Sequence, residues 1–331
     1  MRPGLSHSVG IAGMTLLLAA ATGCIRPGDH LNRHGDEIVV CGQLFHTRTP
    51  VVLWLDPGGY DAYEAHRHFE PGKIMPANPV DKDSPSRFGD RRNLPAELQA
   101  KVAREGWTLA NLQEQVDQFV FHYDVCGTSR RCFQVLQDMR GLSVHFLLDL
   151  DGTLYQTLDL KERAWHAGTA NDRSVGIEIA NIGAYGENAK STLDKWYNLG
   201  ADGWPVATFP PEVKETGIRT PDFVGKPARK ELLKGTINGR EVWQYDYTPE
   251  QYAALIKLVA TMGRIFPKMT LDAPRNPDRS IRMDVFTKEE QAAFSGFMGH
   301  WHESKGKVDP GPAFDWEGVF RGARRELLWP G

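Results

Sequence analysis

The sequence predicts an α/β fold, with a central mixed β-sheet flanked by helices, an N-terminal extension and an insertion. Three observations point there. Short apolar runs such as QFVFH (Gln118–His122) and SVGIEIANIG (Ser174–Gly183) read as buried strands. Helix-length segments with clear start and stop signals stand between and after them. From Gln118 onward the two kinds of segment alternate, as they do in α/β domains.

The elements follow in order. Residues 25 to 40 are polar and read as a tether, and VVLWLDP (Val51–Pro57) is a short strand ended by the turn DPGG. Residues 70 to 95 are rich in Pro and charge with no apolar period, which describes a long loop. Ala96–Glu105 and TLANLQEQV read as helical. SRRCFQVLQDMRG is a helix stopped by Gly141, and SVHFLLDLDGTLYQTL is two strands joined by the turn Asp149-Leu150-Asp151-Gly152. Residues 184 to 246 are long and turn-rich, as an insertion would be. TPEQYAALIKLVATMGRIF is a strong helix: Thr248 caps it, Pro249 occupies its first position and Gln251 completes a capping box. TKEEQAAFSGF is another helix, capped by Thr287, and Pro312–Leu328 is partly helical.

Composition narrows the classes of function. The chain has 331 residues, 41% of them hydrophobic, with a net charge of −3, so it can bury a sizeable core and carries no basic footprint for nucleic acid. No P-loop and no G-x-S-x-G occurs. Met1-Arg2 precedes the apolar run IAGMTLLLAAA (Ile11–Ala21). That run is too short to cross a hydrocarbon core of about 30 Å and reads as a secretory signal over residues 1–24. The stretch ATGC resembles a lipobox, which makes Cys24 the expected lipidation site and membrane anchor; cleavage near Ala19-Ala20-Ala21 is the alternative. The expected location is the cell envelope or periplasm. Export permits disulfides, and Cys41 reads as a small buried thiol.

Eleven histidines are scattered along the chain. His66 and His68 read as solvated and His46 as a turn residue. His122 differs because it ends an apolar strand, where α/β sheets build their sites. The segment GHWHESKGKVDPGPAFDW (Gly299–Trp316) offers two further histidines and Asp309. His122, one histidine of GHWH and Asp309 would supply the His, His, carboxylate set of a zinc hydrolase. On SVGIEIA, Glu178 shares a strand face with Ser174, Gly176 and Ala180. A carboxylate among small residues suits the floor of a cleft.

Taken together, FHYDVCGTSRRC, HFLLDLDGTLYQTLDLKERAWHAG, NDRSVGIEIA and GHWHESKGKVDPGPAFDW resemble the zinc-dependent N-acetylmuramoyl-L-alanine amidases, the AmpD-type and T7 lysozyme-like enzymes related to peptidoglycan recognition proteins. The resemblance covers about residues 116 to 320 and implies that fold. It makes 116–331 the amidase domain, with the insertion at 184–246, and 25–115 a partly irregular N-terminal extension. It implies one Zn2+ per chain on His122, His300 and Asp309, Glu178 as the catalytic acid–base and Lys307 as the group facing the oxyanion. His300 is preferred over His302 because Gly299-His300 aligns with the family's Gly-His, with His302 then behind or at the rim. Trp165, His166 and Asn171 are the implied substrate-binding residues. The spacing of Cys126 and Cys132 matches a disulfide of the recognition-protein branch. The implied reaction is hydrolysis of the amide between N-acetylmuramic acid and L-alanine in peptidoglycan or muropeptides. The alternatives are a non-catalytic peptidoglycan-binding lipoprotein and a zinc amidase acting on another linear amide.

Overall fold

Buried β-branched and aromatic residues build a six-stranded sheet. Its strands are β1 (Val51–Leu53), β2 (Gln118–Tyr123), β3 (Phe146–Leu148), β4 (Leu154–Gln156), β5 (Ser174–Ile179) and β6 (Gly296–Gly299). The computed structural model describes residues 27–28, 31–64, 68–69 and 87–328. The expected signal segment, Cys24 and His66 lie outside them. The described residues from His34 onward form one compact unit. The sheet order is β6-β2-β5-β3-β4-β1, with every neighbour pair parallel except β3 and β4, which form an antiparallel hairpin. This is the expected mixed sheet flanked by helices.

The helices are α1 (Ala96–Glu105), α2 (Leu109–Gln115), α3 (Ser129–Gln134), α4 (Pro249–Ile265), α5 (Lys288–Ala293), α6 (His300–Glu303) and α7 (Trp316–Leu328). Among the described residues none is long and apolar enough to cross a membrane. Both capping boxes form: the Thr248 and Thr287 hydroxyls accept from the backbone of Gln251 and Glu290, whose side chains return the bond. The helix begun at Ser129 loosens into a π-helical turn over Val135–Arg140 before Gly141 ends it at φ 61°.

Alternation divides the sheet into two chemically different faces. Phe119, Phe121, Val175, Ile177 and Phe297 join α4 residues Leu255, Leu258 and Val259 and α7 residues Val319 and Phe320 in one core. The opposite face carries His122 and Glu178. Near β3 and β4 that face is covered by Phe133 and Leu136 on Leu147 and Tyr155.

Two expectations for the N-terminal third need correction, and a third is sharpened. Residues 37–40 belong to no tether: Glu37–Val40 is a buried strand paired with Gln43–His46, and Gln156 bonds both the N–H and the carbonyl of Val39. His46 closes that second strand rather than lying in a turn. Val51–Leu53 is a strand of the main sheet, so part of the 25–115 extension is integral to the sheet. Buried Arg91 ties the extension in further, donating to the carbonyls of Leu160 (2.7 Å) and Ser174 (3.0 Å). Arg91 is far in sequence from Leu160 and Ser174, and no local pattern announces the contact.

Leu258 is wholly buried between the sheet and α7. Leu258→Ala is expected to cost about 2–5 kcal/mol of stability. Chemical denaturation should show a lower midpoint at unchanged slope, while activity below the unfolding temperature stays intact.

Candidate metal centre and active site

Strand register brings the reactive groups together. In the parallel β2–β5 ladder His122 stands opposite Glu178, so both side chains leave the sheet on the same face. Gly299, at the end of β6, pairs with Phe121, so His300 emerges beside His122 as α6 begins. The chain then turns through 304–308 and returns Asp309 to the same point.

There, His122 Nδ1 lies 3.0 Å from His300 Nδ1 and 2.9 Å from Asp309 Oδ2, and His300 Nδ1 lies 3.0 Å from the same oxygen. All three residues are under 10% exposed. Burial, with His300 close by, pushes the His122 imidazole down to about 4. Burial alone would raise the Asp309 carboxyl, but the two imidazoles hold it well below the usual carboxylate range. Two imidazole nitrogens and a carboxylate oxygen converge on one buried point, the kind of donor set that hydrolytic zinc sites use. The residues present therefore fit a metal ion.

Glu178 stands alongside. Burial raises its carboxyl well above the ordinary range; Asp309 and Asp124 add to that and Lys307 opposes it. Its Oε2 is buried and has no hydrogen-bond partner among the described residues. A carboxyl oxygen left this way in a well-packed molecule is costly unless a ligand or reaction uses it. Lys307 is exposed at the mouth of the site, where its charge acts on both Glu178 and His122.

The structure places the remaining residues as follows. His302 is fully buried, bonded through Nδ1 to the Gly299 backbone and through Nε2 to the Arg282 carbonyl (2.9 Å). It braces the strand-to-helix turn and lies apart from the triad of donors. His166 was expected to bind substrate, yet its Nδ1 meets His122 Nε2 at 3.1 Å. A Cβ at Gly176 would lie 2.5 Å from the His166 ring, so glycine there makes room for it. The small-residue face of β5 is thus the seat of an imidazole, where the sequence suggested an open floor.

Asn171 is buried, and its Oδ1 accepts from the backbone of His166 (3.1 Å) and Ala167 (2.7 Å). Its side-chain oxygen thereby holds the Trp165–Gly168 loop in shape. Trp165 is half-buried, and its indole N–H has no partner among the described residues, leaving a donor for a ligand. Cys126 and Cys132 are free thiols here, so the bridge implied by the resemblance is not formed. The Cys126 backbone is held in a turn by Asp124, and burial raises the Cys132 thiol well above its ordinary range.

One contribution escaped the sequence reading. The 184–246 insertion ends in a hairpin, Leu233–Ile237 with Arg240–Gln244, that grips the segment carrying His300 and Asp309. Asn238 donates to the carbonyls of Trp301 (3.2 Å) and Lys307 (3.1 Å), and Arg240 donates to that of Lys307 (2.9 Å). Gln244 and Tyr247 donate to the Pro310 carbonyl at 3.0 and 2.6 Å. Asn238-Gly239, both at positive φ, is the Asn-Gly signal of a tight hairpin and was legible in the sequence. Its target was not.

With this geometry in view, comparison with known proteins identifies the class. The sequence matches the family described as N-acetylmuramoyl-L-alanine amidase over residues 112–312, and the chain belongs to that family. No curated protein matches it. Solved structures similar to it include an AmpD derivative, at 18% identity and TM-score 0.32, covering 64% of this chain and 86% of that one. Another is the endolysin amidase LysCS of Clostridium intestinale URNW, at 13% identity and TM-score 0.33, with 64% and 86% covered. A third is AmiD of E. coli in complex with anhydro-N-acetylmuramic acid-L-Ala-D-gamma-Glu-L-Lys, at 18% identity and TM-score 0.33, with 63% and 57% covered.

Asn238→Gly keeps the turn's positive φ but removes the amide that holds the Trp301–Lys307 segment. Displacement of Lys307 should lower kcat by about 10-fold or more, with bound metal per chain unchanged. Steady-state kinetics beside metal analysis checks this; an unaltered kcat would show that the hairpin does not position the segment for catalysis.

Proposed function

We propose that this protein is an exported, zinc-dependent amidase that cleaves the amide joining N-acetylmuramic acid to L-alanine in peptidoglycan or its muropeptides. The observation that carries the reading is the buried convergence of His122, His300 and Asp309 beside an unpartnered Glu178 oxygen. Family membership supports the reaction class. The fragment ATGC after an apolar run supports export and a lipid on Cys24.

His122, His300 and Asp309 would hold the ion, which when bound supplies Lewis-acid polarisation of the amide carbonyl and acidifies water. Glu178 is then the general base: ionised, it takes a proton from the attacking water and returns it to the departing alanine nitrogen. Its burial suits the task, since a carboxyl raised above the ordinary range both accepts and gives up a proton more readily. Lys307 supplies positive charge at the open side of the cleft, where the carbonyl oxygen gathers negative charge, and donors in that role are worth about 3–4 kcal/mol. His166 fixes the His122 ring through its far nitrogen, as outer partners of metal-binding imidazoles do. Trp165 offers an aromatic face and an indole N–H to the sugar–peptide junction.

The reaction and its cofactor are tested together by mass spectrometry of sacculi and muropeptides after incubation, with and without chelator. Stem peptides with a free N-terminal L-alanine, formed only with metal, are expected; release that survives chelation, or none under any condition, contradicts the reading.

Glu178 gives a second test. A carboxyl with a raised pKa is protonated, and useless as a base, at pH values where an ordinary glutamate is already ionised. The kcat/KM is expected to rise with pH through a value above the usual carboxylate range of about 4.3. Glu178→Ala should keep its metal and lose at least about 100-fold in rate. Turnover at the wild-type level would remove Glu178 from the mechanism.

A further inference from the structure

The N-terminal hairpin brings together a second group of metal-binding side chains, built from elements that take no part in the cleft. Glu37 and His46 are direct partners in the antiparallel ladder Glu37–Val40/Gln43–His46. The Glu37 carboxylate accepts from the backbone N–H of His34 (2.6 Å) and Gly35 (3.0 Å), which folds the residue before the strand back over it. The rings of His34 and His46 meet edge to face, centroids 5.1 Å apart. One ring nitrogen of each and a Glu37 carboxylate oxygen all lie within 4.8 Å of one another.

Asp36 prepares this group for a cation. Its Oδ1 takes the Nδ1 position of His46 at 2.8 Å, and its Oδ2 is held by the Arg48 N–H at 2.9 Å. With a proton on Nδ1 donated to Asp36, His46 turns the lone pair of Nε2 outward, in the carboxylate–histidine arrangement that orients metal-binding imidazoles. His34 and His46 are exposed while Glu37 is buried. His46 also stands at the edge of a groove of about 480 Å³ lined by Phe45, Arg48, Lys257 and Arg264, which leaves room for water ligands. Two imidazoles, one carboxylate and open positions suit a divalent ion of the zinc, copper and nickel kind better than calcium or magnesium, which prefer all-oxygen shells.

We propose that His34, Glu37 and His46 form a second divalent-metal site, with Asp36 setting the orientation of His46. The site is independent of the catalytic assignment, and its test separates the two. The full chain is dialysed against micromolar Zn2+ and the bound metal measured per chain, for the wild type and for His34→Ala, His46→Ala and Asp309→Ala. His34→Ala and His46→Ala should each bind one equivalent fewer than the wild type, with muropeptide hydrolysis unchanged. Asp309→Ala should keep the equivalent that those variants lose. Circular dichroism of the metal-free variants establishes that the hairpin still folds, and Asp36→Asn gives a milder change that should weaken binding severalfold. Equal zinc in the wild type and both histidine variants would overturn the proposal, as would a wild type whose bound zinc is lost entirely with Asp309→Ala.

Discussion

Everything at the active face depends on one constraint: two imidazole nitrogens and a carboxylate oxygen, all buried, meet at about 3 Å. Two imidazoles and a carboxylate packed so closely are costly unless a cation joins them. The surrounding structure bears that cost through rigidity. His122 is fixed by the strand and by His166, His300 by the turn that His302 braces, and Asp309 by the corner whose Pro310 carbonyl is held by Gln244 and Tyr247. Each ligand thus has its own support, drawn from a different part of the chain.

The sheet's second service is to separate packing from chemistry. Even-numbered residues of β2 and β5 face the cleft and odd-numbered ones face α4 and α7, so His122 and Glu178 are presented on a base that the aromatic core makes stiff. Phe119, Phe121, Phe297, Phe314 and Trp316 pack ring against ring, tilted or edge to face, in the core behind that face of the sheet. The segment that returns Asp309 to the site continues into α7, which closes that core. Ligand position and core packing are therefore properties of the same residues' neighbours.

How much of this could be read in advance follows the range of the interactions. Caps and strand alternation are local, so the helix from Thr248 and the two faces of SVGIEIA were legible, as was the placing of His122 at a strand end. The contacts of His166 and Asn171 were not, because the same Trp165–Gly168 loop could point outward or back onto His122. Only tertiary packing over Gly176 decides between them. The preference for His300 over His302 rested on the Gly299-His300 pair alone; the Arg282 carbonyl that captures His302 lies 20 residues away in the chain. The hairpin at 233–244 shows the same divide, since its Asn-Gly turn is written in the sequence while the backbone carbonyls it grips carry no sequence mark.

The central claim, that His122, His300 and Asp309 are the ligands of the catalytic metal, is tested most directly by a crystal structure of the zinc-loaded protein with anomalous data at the zinc absorption edge. The account predicts an anomalous peak about 2.0–2.2 Å from His122 Nδ1, His300 Nδ1 and Asp309 Oδ2, with His302 still on the Arg282 carbonyl. A cleft that stays without a peak at saturating zinc, or a peak coordinated by His302 in place of His300, would contradict it.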